Sequence, residues 1–280
     1  MAYNRKIECT IGQNNGLNLL LSDLNMTFDI KRSYNIESNT ARFVIYNAKE
    51  ETRNKILTKN NNITLSAGYE DEGTGLIFSG FISDVSSTYT GLDWETEITG
   101  SDYGSNSTNI FNKFATYGYK EGMPISMVIS DIASALGVVI SGIENVSGII
   151  MNNAKQFNGL IKDIVKMIDN ILKVNDVGLY FDSNSMVLYK LKQKDSKFGI
   201  VNISSSSGLI NSVEEITDNS NTDQKKRYAF NSLMNAKIKP NALINIQSAI
   251  VNGLLIVENV NYKGDNFGGT DFGCRIEAVE

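Results

Sequence analysis

The apolar residues of this chain change period twice, and no other feature restricts the fold as much. From Ile7 to Asp102 the segments ARFVIYNA, NITLSAGY, LIFSGFISDVSSTY and LDWETEITGSDY alternate at the two-residue period of a strand, separated by Asn- and Gly-bearing turns. GYEDEGTGLIF reads as one hairpin and FSGFISDVSSTYTGLDWETEITG as a second, the start of a β-meander. Helix formers in EETRNKILTK, residues 50–59, predict a short helix crossing one end of that sheet. The period then lengthens to 3.6. In MPISMVISDIASALGV, Pro124 opens a helix whose stripe is Ile125, Val128, Ile129, Ile132 and Leu136, and Gly137 stops it. FNGLIKDIVKMIDNIL repeats the pattern through Leu160, Ile161, Ile164, Val165, Ile168, Ile171 and Leu172, and VGLYFDSNSMVLYKLK follows as a hairpin turning at Asp182 to Ser185. From about Ile200 to Glu280 the strand period returns, with a turn at Pro240 and Asn241.

The fold class is therefore α+β and β-dominated, with β stretches over 1–102 and 200–280 bracketing a helix-and-hairpin insert over 103–199. At 280 residues and 30.9 kDa the chain can bury a sizeable core. With 41% hydrophobic and 20% charged residues it reads as folded rather than disordered. MAYNRKIECTIG lacks the apolar stretch of a signal peptide and no window approaches a membrane span, which predicts folding in a cytoplasm without stable membrane association.

Histidine is absent, and this removes most of the chemistry otherwise open to such a chain. Ser-His-Asp and Cys-His nucleophiles, histidine metal ligands and a histidine base all fall away. Cys9 and Cys274, the two cysteines, lie near opposite ends; they give neither a disulfide framework nor metal spacing and read as small apolar residues on terminal strands. A net charge of -5 argues against a dedicated nucleic-acid binder, and KLKQKDSK and QKKR read as solvated loops.

Carboxylate chemistry is what remains. Asp93, Glu95 and Glu97 in LDWETEIT share one strand face, and Glu214 and Glu215 form a second acidic pair; both read as wet faces or strand edges, with a carboxylate glycosidase as the alternative. Trp94, Tyr117 and Tyr119 are candidate platforms for a glycan-binding, adhesin-like protein. GTGLIFSG, residues 73–80, has the wrong glycine spacing for a dinucleotide site and leads into a strand. The stretch YKGDNFGGTDF, Tyr262 to Phe272, gathers Gly264, Gly268 and Gly269 around Asp265 and Asp271; flanked by GLLIVENVNY and FGCRIEAV it reads as a hairpin with an enlarged tip, the alternative being a ligand cradle.

In order and spacing these segments resemble the baseplate hub family of contractile phage tails and tailocins, to which late-control proteins and the hub parts of type VI spikes are similar. The resemblance is carried by FSGFISDVSSTYTGLDWETEITGSDY, MPISMVISDIASALGV, SSSSGLINSVEE and, above all, SLMNAKIKPNALINIQSAIVNGLLIVENVNYKGDNFGGTDFGCRIEAV. Two departures stand out: Pro240, Asn241 and Ala242 where the family often has Pro-Gly-Asp, and Phe272 where it often has Trp. Asn tolerates a positive φ and Phe supplies a ring, so both are compatible with the pattern.

The resemblance implies two tube-like β-barrel units, 1–102 and 200–280, and a homotrimeric, pseudo-sixfold ring joining a sixfold tail tube to a threefold spike. It implies a virion baseplate location after assembly in a bacterial cytoplasm. The partners it implies are further copies of the chain, the tail tube protein, the spike or needle protein and other baseplate proteins, with DNA only passing through the lumen. It implies no cofactor, metal or catalytic residue. With no needle, lysozyme or peptidase domain before the last residue, Glu280, wall-degrading activity is expected in another protein.

Overall fold

A computed structural model describes residues 4–12, 18–34, 36, 38–57, 61–102, 111–191, 199–216, 226–269 and 271–280. The chain divides into two compact units. One comprises Met1–Ser33, Asn39–Ser101 and Lys194–Glu280; the other comprises Tyr34–Ser38 and Asp102–Gln193.

The first unit is a sheet with one short helix. Its N-terminal part holds β1 (Arg5–Gly12), β2 (Asn18–Leu20), β3 (Met26–Ser33), β4 (Thr40–Tyr46), α1 (Glu50–Ile56), β5 (Asn62–Tyr69), β6 (Gly73–Tyr89) and β7 (Trp94–Ser101). Alternation does what the sequence requires of it: Ile7, Cys9 and Ile11 of β1 and Met26, Phe28 and Ile30 of β3 are buried while their neighbours face out. Both expected hairpins form, β5 with β6 and β6 with β7. α1 ends at Ile56, its single buried residue, and residues 58 and 59 of the expected helix lie outside the described residues.

The C-terminal part of this unit adds β13 (Ile200–Ser204), β14 (Leu209–Ile216), β15 (Arg227–Leu233), β16 (Leu243–Gln247), β17 (Asn252–Asp265) and β18 (Phe272–Val279). Between β15 and β16, Asn241 takes the left-handed conformation, φ 64°, expected after Pro240. In β17 the buried phase shifts from Leu255 and Val257 to Val260 and Tyr262, and a β-bulge at that point absorbs the extra residue, so one face stays apolar throughout.

All these strands share one 13-stranded sheet, ordered β14-β15-β18-β17-β3-β4-β7-β6-β5-β1-β2, with β16 joined to β17 and β13 to β16. The two β stretches meet where β3 pairs antiparallel with β17 from Thr27↔Asp265 to Ser33↔Asn259. Where the resemblance predicts two tube-like barrels, the pairing among the described residues runs from β14 to β2 without returning on itself and closes no barrel within the chain. The physical reason is that β3 and β17, each needing a neighbour for its backbone groups, satisfy one another. One apolar cluster lies under both stretches, with Phe43, Phe78, Phe230 and Tyr262 among its largest buried side chains. Cys9 and Cys274 belong to it as unbonded thiols, and burial pushes each up to about 12.

The second unit has its own core. It contains β8 (Phe114–Tyr119), α2 (Ile125–Leu136), β9 (Val139–Ser141), a 3-10 turn (Ile143–Val146), β10 (Lys155–Leu160), α3 (Ile161–Val174), β11 (Val177–Asp182) and β12 (Ser185–Lys190). Ile125, Val128, Ile129, Ile132 and Leu136 of α2 are buried, as are Ile161, Ile164, Val165, Ile168 and Leu172 of α3. Gly137 closes α2 in the left-handed conformation, as the stop signal requires. The β11–β12 hairpin turns through Ser183 and Asn184, both at positive φ. The β8–β10 ribbon and β9, which pairs parallel with β12, were not delineated by the sequence, because each is short and carries little alternation.

Phe43 is fully buried and packs edge-on against Phe78, ring centroids 6.0 Å apart. Phe43→Ala is expected to lower the unfolding free energy by about 3–5 kcal/mol, read as a shift of the urea midpoint with unchanged slope.

Candidate functional site

The loop between β17 and β18 is organised around one carboxylate. Asp265 Oδ1 accepts from the backbone N–H of Phe267 at 3.1 Å and of Gly269 at 2.8 Å, and from Arg5 Nη1 at 3.0 Å. Arg5 also donates through Nη2 to the Gly269 carbonyl at 2.6 Å and lies 5.0 Å from the centre of the Phe272 ring. Asn266 accepts from the Met26 N–H at 2.9 Å and donates to the Leu24 carbonyl at 2.8 Å. The glycines are there for space: a Cβ on Gly264 would meet the Phe272 and Phe28 rings at 2.7 and 2.8 Å, and one on Gly269 would meet the Asp265 carboxylate at 2.5 Å. Every one of these contacts fixes the tip to its own unit, so the described part of the loop is the enlarged hairpin, not a cradle. Thr270 lies outside the described residues.

Beside it, a groove of about 290 Å³ is lined by Asp29, Arg42, Lys263, Asp265 and Asp271 among others. Its charges belong to a row that crosses the outer face of the sheet with alternating sign. Glu97 on β7 takes Arg42 on β4 in two bonds, Nε at 2.7 Å and Nη2 at 2.8 Å. Arg42 stands opposite Asp29 on β3, Asp29 opposite Lys263 on β17, and Lys263 Nζ reaches Asp271 at 2.6 Å. Asp29 Oδ1 is buried without a hydrogen bond, between the two cations. The row is cross-strand pairing of opposite charges continued over four strands. Among the described residues no group of three or more Asp, Glu, Cys or His is placed to hold a metal ion.

The sequence candidates are not brought together. Asp93 lies in the β6–β7 turn and accepts from Asn47 Nδ2 at 2.6 Å, while Glu97 is committed to Arg42. The Arg42 hydrogen bond holds the Glu97 carboxyl below its ordinary value of 4.5. A glycosidase acid needs the opposite, a carboxyl kept protonated. Glu214 lies 3.6 Å from Arg275, and Glu215 lies 3.9 Å from Lys226.

Of the candidate platforms, Tyr119 is buried and donates to Asp131 Oδ2 at 3.0 Å; burial and that carboxylate raise its hydroxyl strongly. Tyr117 stacks on Tyr119 in the second unit. Trp94, in the first, has Arg53 over its ring at 3.9 Å and Tyr89 at 5.5 Å. All three rings thus already have a neighbouring side chain against them.

What sequence reasoning missed is the partnership of Arg5 with the Asp265 loop, 260 positions away, for which no local signal exists. Replacing Asp265 with Ala strands two backbone amides and a guanidinium, and is expected to destabilise the protein by about 1–3 kcal/mol in urea unfolding. The Glu97–Arg42 pair predicts a small acid-limb effect. Because the folded pKa is depressed, its contribution is complete above 4.5 and is lost as pH falls through the lower folded value. Glu97→Gln should therefore cost less than about 1 kcal/mol at pH 7 and progressively less as pH falls below 4.5, measured by the same unfolding assay, since both partners are largely exposed.

No protein-family model matches the sequence, and no curated protein sequence matches it either. Solved structures do match. The prophage MuSo2 43 kDa tail protein from Shewanella oneidensis is 9% identical, with TM-score 0.65 over 99% of this chain and 96% of its own. The tail protein from Neisseria meningitidis MC58 is also 9% identical, with TM-score 0.71 over 99% of this chain and 97% of its own. The Escherichia coli c3393 protein, a type VI secretion component described as structurally similar to the phage T4 tail proteins gp27 and gp5, is 8% identical, with TM-score 0.55 over 91% of this chain and 72% of its own. From end to end, the chain has the fold of phage tail proteins and of their type VI secretion counterpart.

Proposed function

We propose that this chain is a structural hub protein of a tail baseplate, a homotrimer whose ring joins the sixfold tail tube to the threefold spike. The observation that carries the reading is the fold likeness to tail proteins, which spans nearly all of this chain and nearly all of each of theirs. A partial match would leave room for a grafted activity; a match over both full lengths does not need one. The chemistry agrees with that choice. No histidine is available, Glu97 is held as an anion by Arg42, and the glycine-rich loop binds its own Arg5.

In this reading the protein is not an enzyme, and puncture or wall cleavage belongs to a partner. Each chain contributes its two β stretches to the ring as tube-like barrels completed between neighbours, which makes the lack of closure within one chain a property of the isolated subunit. The helix-bearing insert serves contacts with other baseplate proteins. The net charge of -5 suits a conduit, because a basic wall would hold DNA phosphates and slow their passage.

Light scattering on the purified protein over a range of concentrations is the test. The expected mass is that of three 30.9 kDa chains, and negative-stain images should show a ring that caps added tail tube. A monomer at every concentration, or release of soluble sugar from purified cell walls, would overturn the reading.

A further inference from the structure

β6 is long enough to outrun one of its neighbours. β5 covers it only from Gly73 to Phe81, and among the described residues the last contact on that side is the Ile82 N–H with the Asn61 carbonyl at 2.9 Å. Beyond that point β7 continues alongside to Tyr89. Among the described residues nothing pairs with the other edge from Val85 to Tyr89.

The direction of the backbone groups on that edge follows from the turn. Thr90 N–H donates to the Asp93 carbonyl at 2.9 Å, so Thr90 and Asp93 form the hydrogen-bonded pair that closes the hairpin. Antiparallel pairing alternates, so Tyr89↔Trp94, Ser87↔Thr96 and Val85↔Ile98 are non-hydrogen-bonded pairs, whose N–H and C=O groups point away from the partner strand. The far side of β7 bears this out, where the Trp94 carbonyl accepts from Asn47 N–H at 2.8 Å. Val85, Ser87 and Tyr89 therefore present three donors and three acceptors at alternate positions.

Proteins guard such edges with charge, brevity or a bulge. Here β14 carries Glu214, Glu215 and an irregular register, β2 has three residues, and the open half of β1 carries Arg5, Lys6 and Glu8. The stretch VSSTY has none of these guards. At its end Tyr89, Leu92 and Trp94 are 55%, 89% and 37% exposed, so an apolar platform adjoins the open backbone. A second open edge is matched to it: β13, five uncharged residues with Ile200 47% exposed, pairs with β16 on one side and with nothing else among the described residues. Ser207 Oγ donates to its Asn202 carbonyl at 3.3 Å, a long and replaceable bond.

We propose that the Val85–Tyr89 edge of β6 seats β13 of a second copy of this chain, continuing the sheet from subunit to subunit. The inference rests on the self-assembly in the hub reading and names the strands that would carry it. Two different edges joining head to tail form a heterologous contact, the kind that closes rings. Val201 and Ile203, buried on one face of β13, would continue the apolar face begun by Val85, while Ile200 meets the aromatic tip.

The test compares the wild-type chain with three variants by light scattering and amide exchange. Ser87→Pro deletes one outward N–H and leaves the β6–β7 ladder whole. Ser86→Lys with Thr88→Lys adds guarding charges through exposed side chains and leaves the backbone untouched, so it serves if the proline variant fails to fold. Ile200→Lys does the same on β13. All three are expected to weaken association by about 10-fold or more while each variant chain keeps a folded circular-dichroism spectrum. The Val85, Ser87 and Tyr89 amides should exchange slowly in the wild-type oligomer and rapidly in the variants. An oligomer that persists in every variant, with those amides exchanging rapidly, overturns this assignment and leaves the ring reading standing. Dissociation by the β6 variants alone means that a strand other than β13 occupies the edge, which also overturns it. A wild-type chain that is monomeric at every concentration removes the ring reading itself.

Discussion

The pairing of β3 with β17 is the contact on which the rest of the first unit depends. It joins strands some 230 positions apart through an unbroken register from Thr27↔Asp265 to Ser33↔Asn259, and it turns two meanders into one sheet over one core. Without it Phe28 and Tyr262, buried on adjacent strands, would each lose the neighbour that covers it. The Arg5 clasp on the Asp265 loop and the Asn266 contacts with Met26 and Leu24 lie at the end of the same seam. They bind the first strand and the last hairpin to it, so the loss of one would loosen a contact with a high cost of loop closure.

That seam also explains the charge row. Core-facing positions on β3, β4, β7 and β17 are mostly apolar, Arg32 and Thr96 being buried exceptions, so the opposite face inherits Asp29, Arg42 and Lys263 at facing positions and Glu97 diagonal to Arg42. Signs alternate because like charges opposite one another would push the strands apart. The row is a consequence of packing four strands in this order and carries no arrangement suited to catalysis. Glu97 is paired with Arg42, Tyr119 is buried on Asp131 and the glycine loop is bound by Arg5, while Tyr89 and Leu92 stay exposed at the β6–β7 tip.

Local pattern made much of this legible. The helix stripe from Ile125 to Leu136, the hairpin at Ser183 and Asn184, the turn at Asn241 and the stop at Gly137 all lie where period and turn chemistry put them, whereas the second helix starts only at Ile161, and Phe157 to Leu160, read as its first turn, belong to β10. Less was legible where strands are short or partners distant. The β8–β10 ribbon shows too little alternation to announce itself, and the short strand β9 pairs parallel with β12 across an intervening helix. Glu97 was readable as part of a wet face, but its pairing with Arg42 was not, because the register between β4 and β7 lies outside either segment, and Asp93 lies in the turn rather than on that face.

By itself the sequence determined the type and the buried face of the longer, strongly periodic elements, and the chemistry denied to a chain without histidine. These follow from short-range stereochemistry and from composition, which no tertiary contact can alter. Only the tertiary structure decided that both β stretches share a sheet, that Asp265 is held by Arg5, and that, among the described residues, one edge of the outer part of β6 is left without a partner strand. Each of these depends on which distant strands meet. Strand pairing is chosen by the fit of whole faces and edges, and a strand's own residues specify a face to bury without specifying the partner that buries it.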